Sequence, residues 1–346
     1  MTEILILDGG LGTTLEQQHG VKFTFNEPLW SSSLLVTSPS TLLACQASFT
    51  RVPVDVLLTG TYQFSTEGFA NTKVEGHPDG FAKEEIAPFV EKAVSVAEDA
   101  CKQGGGKTGV ALSVGPYGAI MVPGQEYSGK YDEKHDSLET LEVWHRERLQ
   151  ILASPKDIAT RVRYTALETI PRIDEITAMR KALSATPSLA SVPYWICCLF
   201  PDQSTTLLPD GTAAGDAVKA MLDSRIPGPL PWGIGINCTK VHRLEPLLLE
   251  YEAAVADVLG KDAEWPALVL YPDGTNGEVY NTSTKTWDMP EEGSTTGTAD
   301  KLPWEEVLSR AVAGTKARGN WKTIVVGGCC MASPEHISRL RSRLLQ

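Results

Sequence analysis

Eight short apolar runs, rich in Val, Ile and Leu, recur along the 346 residues of the chain, with longer amphipathic stretches between them. Each run is nearly unbroken in its apolar character, which is typical of parallel strands covered on both faces. Eight strands that each lead into a helix predict a single (β/α)8 barrel of the TIM type over residues 1–346, with a doubly wound open sheet as the alternative. The predicted strands are 4–7, 56–59, 110–114, 164–167, 194–199, 233–236, 267–271 and 323–326.

The amphipathic stretches predict the helices that cover this sheet. Ser333 suits the N-cap of the last helix, and Pro334 suits its first turn. Residues 281–301 are rich in Gly, Ser, Thr and acidic side chains, and they predict a surface insertion after the seventh strand. The predicted helices are 83–102, 138–152, 173–183, 243–259, 304–313 and 337–345.

The charge balance limits the partners of the chain. It has 43 acidic and 31 basic residues, a formal net charge of −12, and no Lys/Arg cluster of the kind that phosphate backbones attract. We therefore predict small-molecule substrates and no nucleic-acid or membrane partner, with the oligomeric state left open. The N-terminus lacks the basic and apolar regions of a signal peptide, and no stretch reaches the roughly 18 apolar residues of a membrane helix. A cytoplasmic location is the resulting prediction.

Three of the seven cysteines follow predicted strands. Cys238 ends the sixth strand, and Cys329 and Cys330 end the eighth, 91 residues further along the chain. Because the carboxyl ends of barrel strands surround one mouth, these thiols are expected to converge there. Three thiolates form a soft site that suits Zn²⁺, and an open fourth position is typical of a catalytic zinc. The alternative is that these cysteines are buried as small apolar side chains.

Several segments together resemble the homocysteine S-methyltransferase family, and the likeness runs from about residue 4 to residue 345. The segments ending in Cys238-Thr239 and in Cys329-Cys330 resemble its two zinc motifs. The likeness is greatest to the branch that uses S-methylmethionine or S-adenosylmethionine rather than betaine. The further matching segments are Leu7-Asp8-Gly9-Gly10 with Gly12-Thr13, Ser113 to Ala119, Glu126-Tyr127, Glu168-Thr169-Ile170-Pro171 and Gly277-Glu278-Val279-Tyr280.

The resemblance implies a role for each matching residue. The three cysteines would bind one Zn²⁺ per chain, and the homocysteine sulfur would take the fourth position as an activated thiolate, with no protein general acid or base. Glu168 would face the homocysteine ammonium, and Asp8, Gly9 and Gly10 would anchor the amino-acid end with backbone N–H groups toward the carboxylate. Tyr62 would shape the donor pocket or bind zinc when homocysteine is absent. A glycine turn, a helix-start acid and a packed strand-end aromatic are the structural alternatives.

The predicted reaction is zinc-dependent methyl transfer from a sulfonium donor to homocysteine, which gives methionine. Two departures from the family pattern keep alternatives open. Met331-Ala332 replace the usual pair after the double cysteine, and the loop that begins at Tyr271 carries two extra residues. The alternatives are methylation of a related thiol or selenol such as selenocysteine, and a zinc- and thiol-binding barrel without turnover. S-methylmethionine and S-adenosylmethionine both stay open as donors.

Overall fold

The computed structural model describes residues 2–24, 27–275, 278–281, 286–288 and 302–345. All eight predicted strands are present within these ranges. Three of them, β4, β6 and β7, continue two to four residues beyond their predicted ends, so several polar residues expected in loops belong to strands. The strands are β1 (Glu3–Ile6), β2 (Val56–Leu58), β3 (Gly109–Val114), β4 (Tyr164–Ile170), β5 (Tyr194–Cys198), β6 (Gly233–Lys240), β7 (Ala267–Asp273), β8 (Val279–Asn281), β9 (Thr286–Asp288) and β10 (Thr323–Val326).

Eight of these strands form a parallel barrel. Their order is β1-β10-β7-β6-β5-β4-β3-β2, and a parallel bridge between Leu7 and Val56 joins the two ends of the sheet. The ring is therefore closed, which confirms the TIM-type barrel and excludes the open sheet. Side chains such as Trp195, Val269 and Val325 fill its interior, as expected of a barrel that is a packed core rather than a pore.

The helices lie around the barrel and bury their apolar faces against it. Gly9 to Thr13 lead from β1 into the first helix, and Ser333 with Pro334 begins the last one, as predicted. The α-helices are Leu11–His19, Leu34–Thr37, Pro39–Thr50, Thr66–Ala70, Ala87–Gln103, Leu138–Leu152, Ile158–Arg161, Ile173–Ser184, Pro187–Ala190, Ala214–Met221, Leu244–Leu259, Trp304–Arg318 and Pro334–Leu344. Short 3-10 turns are Trp30–Ser33, Lys83–Glu85, Tyr117–Ile120, Glu133–His135 and Val241–Arg243.

The strand-seven loop contains the antiparallel hairpin of β8 and β9. Most of the predicted insertion at 281–301 lies outside the described residues, and the assignment of 1–346 to one domain stays a prediction. Within the described ranges, every helix is too short or too polar to cross a lipid bilayer.

Candidate active site

The mouth of the barrel brings together the three cysteines that follow strands six and eight of the sequence prediction. Cys238 lies on β6, and Cys329 and Cys330 lie in the turn after β10. Their Sγ atoms all lie within 4.8 Å of one another. The Sγ atoms of Cys238 and Cys329 are in direct contact, as in a disulfide, and their Cα atoms are 5.6 Å apart.

This donor set fits a zinc ion. Zn–S bonds of about 2.3 Å in a tetrahedral site separate the sulfur atoms by about 3.8 Å, which is within the span of these three thiols. Burial raises the pKa of the Cys330 thiol to about 12, with the charges of Asp273 and Glu126 acting in the same direction. A bound cation would replace the proton and form the thiolate.

Two irregularities in the sheet direct side chains into the mouth. The register of β4 against β5 shifts between Leu167 and Ile170, and that of β6 against β7 shifts between Asn237 and Lys240. Inside these shifts Thr169 has φ 62° and Cys238 has φ 46°, both in the left-handed region. Bulges of this kind turn a side chain away from its regular direction and recur next to active sites. The apolar runs stop at Leu167 and Ile236, where the predicted strands end, whereas the strand pairing continues through the polar residues that follow.

Glu168 and Asp8 form a pair of buried carboxyl groups close to the thiols. Their side chains are 4% and 3% exposed. Burial raises the pKa of Glu168 to about 7, against hydrogen bonds from Ser113 and Tyr271 that lower it. Burial also raises the pKa of Asp8 well above its usual value, and the charge of Glu168 adds to this shift. Such a pair could bind one cationic group, because a positive charge would relieve both carboxylates.

Asp8 has an oxygen atom available for such a group. Its Oδ2 accepts a hydrogen bond of 2.9 Å from the Leu58 N–H. Its Oδ1 is buried and has no hydrogen-bond partner among the described residues. A buried carboxylate oxygen without a donor is costly unless something else binds there.

Gly9 and Gly10 contact the loop that carries the double cysteine. The Gly10 N–H donates to the Ala332 carbonyl at 2.9 Å. A Cβ atom on Gly9 would lie 2.1 Å from the Ala332 oxygen, and one on Gly10 would lie 2.5 Å from the Cys329 oxygen. The glycines therefore permit a close approach between two protein loops. The predicted backbone contact with a substrate carboxylate then depends on Gly9 and the first turn of the helix Leu11–His19, since the Gly10 N–H is already engaged.

An aromatic and acidic cavity lies above these groups. Tyr62, four residues after the end of β2, is one of its walls, and its ring lies edge-on to Trp30 with centroids 6.2 Å apart. Burial raises the pKa of Tyr62, and the charge of Glu126 adds to this shift. The thiols and Glu168 form the floor. The aromatic and acidic lining residues are Glu16, Trp30, Tyr62, Glu126, Tyr127, Glu168, Tyr271 and Trp287.

Sequence reasoning did not identify Glu16, Trp30 or Trp287 as part of the site. Trp287 lies on the hairpin strand β9, and Lys240 lies 5.9 Å from the centre of its ring. Trp30 lies in a 3-10 turn far from any barrel strand in sequence. Neither residue lies at the end of a predicted barrel strand, so the strand pattern does not indicate that it belongs to the site. Only the family resemblance predicts a role for Glu126-Tyr127.

A family model described as homocysteine S-methyltransferase matches residues 5–344. The chain belongs to the homocysteine S-methyltransferase family. This match confirms the resemblance and the assignment as a methyltransferase enzyme. It also fits the geometry of the thiol cluster, although it names no metal.

Individual members of the homocysteine S-methyltransferase family match over nearly the whole chain. Homocysteine S-methyltransferase 2 of Arabidopsis thaliana is 30% identical, over 98% of this chain and 92% of the relative. Selenocysteine Se-methyltransferase of Brassica oleracea var. italica is 31% identical, over 98% and 88%. Among solved structures, the metallated form of the homocysteine methyltransferase MmuM from Escherichia coli is similar, with a TM-score of 0.68, 26% identity, and coverage of 99% of this chain and 96% of that one.

Proposed function

We propose that this methyltransferase moves a methyl group from a sulfonium donor to the thiol of homocysteine, bound to a zinc ion by Cys238, Cys329 and Cys330. The observation that carries the proposal is the convergence of three thiols within 4.8 Å beside the buried Asp8 and Glu168 carboxyls. The metallated state of the MmuM neighbour supports a metal at this place. A cytoplasmic location remains part of the proposal.

The thiol cluster would supply the nucleophile. Bound zinc would hold the acceptor sulfur as a thiolate, because coordination removes the thiol proton while lone pairs remain for attack. Cys238, on a bulge of β6, and the turn after β10 fix the direction from which that sulfur approaches the cavity. The apolar walls exclude water, which strengthens the electrostatic interactions inside.

Glu168 and Asp8 would orient the acceptor by binding its ammonium group. The Glu168 carboxyl is held by Ser113 and Tyr271, and the Oδ1 atom of Asp8 lacks a partner among the described residues. An ammonium between them would favour the ionised form of both groups. The backbone N–H groups from Gly9 into the first helix would then face the carboxylate, since the helix dipole favours an anion at this end.

The cavity lining favours a cationic donor. A sulfonium centre is attracted to aromatic faces and to carboxylates, and the walls include Trp30, Tyr62 and Tyr127 with Glu126. In the reaction the acceptor sulfur forms a bond to the methyl carbon while the bond from that carbon to the donor sulfur breaks. The electron pair of the broken bond stays on the donor, which leaves as a neutral thioether. No proton is needed for this departure.

A second acceptor is selenocysteine. The relative from Brassica oleracea named selenocysteine Se-methyltransferase is about as similar as the homocysteine enzymes. Both amino acids present the same ammonium and carboxylate groups, so the Asp8 and Glu168 pair would anchor either one. Relative turnover of the two acceptors with one donor distinguishes the assignments.

The test is methionine formation by the zinc-loaded protein. Homocysteine is supplied with S-methylmethionine, S-adenosylmethionine or betaine in parallel, before and after zinc removal with a chelator. We expect turnover with a sulfonium donor, loss of turnover without zinc, and its return when zinc is restored. Turnover with betaine alone, or full turnover after complete zinc removal, would contradict the proposal.

Two variants test whether Cys238 is one of the metal ligands. Cys238→Ala removes one of the three clustered thiols, and zinc binding and turnover should both be lost. Cys101→Ala is the matched control, because Cys101 is also buried but lies on the helix Ala87–Gln103, outside the site. Stoichiometric zinc and full turnover in Cys238→Ala would show that the metal is bound elsewhere.

A further inference from the structure

The two bulged residues of the site, Thr169 and Cys238, are joined by a third residue. Asn237 directly precedes Cys238 on β6, and its side chain is fully buried. Its Oδ1 atom accepts a hydrogen bond from the Thr169 N–H at 2.8 Å, and its Nδ2 atom donates to the Thr169 hydroxyl at 2.7 Å. One amide therefore binds both the backbone and the side chain of the bulge on β4.

The same amide also reaches the sulfur atom of Cys238. Asn237 Nδ2 lies 3.2 Å from Cys238 Sγ. The Thr169 hydroxyl lies 3.7 Å from that sulfur. Because this hydroxyl accepts a hydrogen bond from Asn237, its own proton can point to the sulfur. Two hydrogen-bonding groups, the Asn237 amide and the Thr169 hydroxyl, therefore lie beside Cys238 Sγ. The hydroxyl also has the Tyr62 side chain as a hydrogen-bond partner.

The backbone of both partners gives a second, independent reason for this arrangement. Thr169 and Cys238 have backbone φ angles of 62° and 46°, which residues other than glycine rarely adopt. Such conformations persist only where surrounding contacts impose them, and they cluster at functional sites. The two hydrogen bonds between Asn237 and Thr169 link the bulge on β6 to the bulge on β4.

We propose that Asn237 and Thr169 are positioning residues for the metal ligand Cys238: their hydrogen bonds fix its Sγ atom and offset the negative charge that it carries when it binds zinc. The inference rests on the proposed zinc function. Three cysteine thiolates and an acceptor thiolate around one divalent cation carry a net charge of about −2. Donors aimed at one sulfur reduce the repulsion in this group, so they favour metal binding.

Four substitutions distinguish the contribution of the Asn237 amide to metal binding from that of the Thr169 hydroxyl. Asn237→Asp keeps an oxygen for the Thr169 N–H but removes both donated bonds, and Asn237→Ala removes the side chain without adding charge. Thr169→Val removes the hydroxyl at nearly constant shape, and Thr169→Ser is its matched control because the hydroxyl is retained. Zinc affinity is measured by competition with a chromophoric chelator, and circular dichroism checks that each variant is folded.

We expect the zinc dissociation constant of both Asn237 variants to rise about 10- to 100-fold, in the range found for partners that orient metal ligands. Thr169→Val should show a smaller rise, and Thr169→Ser should stay within about twofold of the unsubstituted protein. The second readout is the sulfur-to-metal charge-transfer band of the cobalt(II)-substituted protein. Loss of a hydrogen bond to a thiolate makes the sulfur easier to oxidise, so the band should move to longer wavelength in Asn237→Ala and Thr169→Val.

The outcomes distinguish the inference from the proposed function. If the unsubstituted protein binds zinc at one ion per chain and the folded Asn237 variants match its affinity and its cobalt spectrum, the inference alone is overturned. If the unsubstituted protein binds no zinc, the proposed function fails, and the inference fails with it. Weakened affinity in Thr169→Val that Thr169→Ser restores, together with the band shift, supports the inference.

Discussion

The Arg148 guanidinium donates a hydrogen bond to the main-chain carbonyl of Tyr62, with an Nη2–O distance of 2.6 Å. Arg148 lies on the helix Leu138–Leu152, outside the barrel, and its side chain is 4% exposed. It also donates to the carbonyls of Phe64 and Gly115, each at 2.6 Å. One buried cation therefore joins the segments that follow β2 and β3, which provide walls of the cavity.

Substitution of Arg148 should loosen both segments. Burial lowers the pKa of Arg148 to about 10, so the side chain is still charged at neutral pH. Arg148→Met leaves the Phe64 and Gly115 carbonyls without this donor, whereas the Tyr62 carbonyl keeps the Gly115 N–H at 3.2 Å. At about 1 kcal/mol or more for each carbonyl left without a donor, we expect the free energy of unfolding to fall by about 2 kcal/mol or more. The KM for the donor should also rise, because Tyr62 loses its support. Urea denaturation and donor-dependent kinetics measure the two effects.

The control for Arg148 is its neighbour Arg146. Arg146 is partly exposed, and its closest anion is Glu142 at 3.8 Å. Arg146→Met should change the free energy of unfolding by about 0.5 kcal/mol or less. Equal effects of the two substitutions would mean that the buried carbonyl contacts of Arg148 contribute nothing beyond an ordinary surface charge.

Gly9 is predicted to be intolerant of a side chain because it lies against the loop of Cys329 to Ala332, which carries two of the proposed zinc ligands. A Cβ atom there would lie 2.1 Å from the Ala332 oxygen and 2.8 Å from the Phe49 ring. Gly9→Ala must displace the loop that carries Cys329 and Cys330, so zinc affinity should fall at least tenfold. Gly215→Ala is the matched control: its Cβ would meet only the Ala254 side chain at 3.7 Å, an ordinary contact. Unchanged zinc affinity in Gly9→Ala would show that the loop is not tied to this turn.

Much of the fold and part of the site follow from sequence patterns, for identifiable physical reasons. Apolar runs indicate buried parallel strands, and the carboxyl ends of such strands meet at one mouth of the barrel. The proximity of Cys238 and Cys329 could therefore be predicted from the sequence. The bulge at Cys238 could not be predicted, since positive φ is not a preference of cysteine and the bonds that link Asn237 to Thr169 join residues far apart in sequence. Arg148 was also missed, because a charged residue on a helix normally faces solvent. The sequence also gives no indication that Gly9 and Gly10 lie against the loop of Cys329 and Ala332, and their contact with a substrate stays a prediction.

Lys240 is predicted to anchor the loop after β7. Its Nζ atom lies 3.2 Å from Asp273 Oδ2 and 2.5 Å from the Thr275 hydroxyl, and the Lys240 and Asp273 side chains are 12% and 8% exposed. Lys240→Met leaves the Asp273 carboxylate without its cation, and we expect a loss of about 2 kcal/mol in the free energy of unfolding, less than for a fully buried pair. The double variant with Asp273→Asn should recover part of this loss.

The control for this pair is Lys219, which is half exposed and lies 3.6 Å from Asp216. Lys219→Met should cost about 0.5 kcal/mol or less, as is usual for a surface ion pair. Chemical denaturation of the single and double variants gives the coupling energy between Lys240 and Asp273. A coupling energy near zero would contradict an anchoring role for Lys240.

Glu168 is predicted to make the free energy of unfolding depend on pH. Burial raises its pKa from 4.5 in a model peptide to about 7 in the folded protein, so between these values the folded chain holds the proton more tightly than the unfolded chain does. The folded state is then destabilised, relative to a neutral side chain, as the pH rises from about 4.5 to 7. Glu168→Gln removes this titration. The variant should therefore gain stability relative to the unsubstituted protein as the pH rises.

The contribution of Glu168 itself is bounded by its pKa shift. A change from 4.5 to about 7 corresponds to about 3.5 kcal/mol at most, since each pH unit is worth about 1.4 kcal/mol. Urea denaturation of both proteins at pH 5 and pH 8, without substrate, measures the difference. This difference includes the change in the titration of Asp8, because the Glu168 charge raises the pKa of Asp8. Homocysteine should reverse the order at pH 8, because its ammonium stabilises the ionised Glu168 and cannot bind the amide as strongly. A difference that is the same at both pH values would mean that the Glu168 carboxyl titrates with an ordinary pKa, and the ammonium site would lose its electrostatic basis.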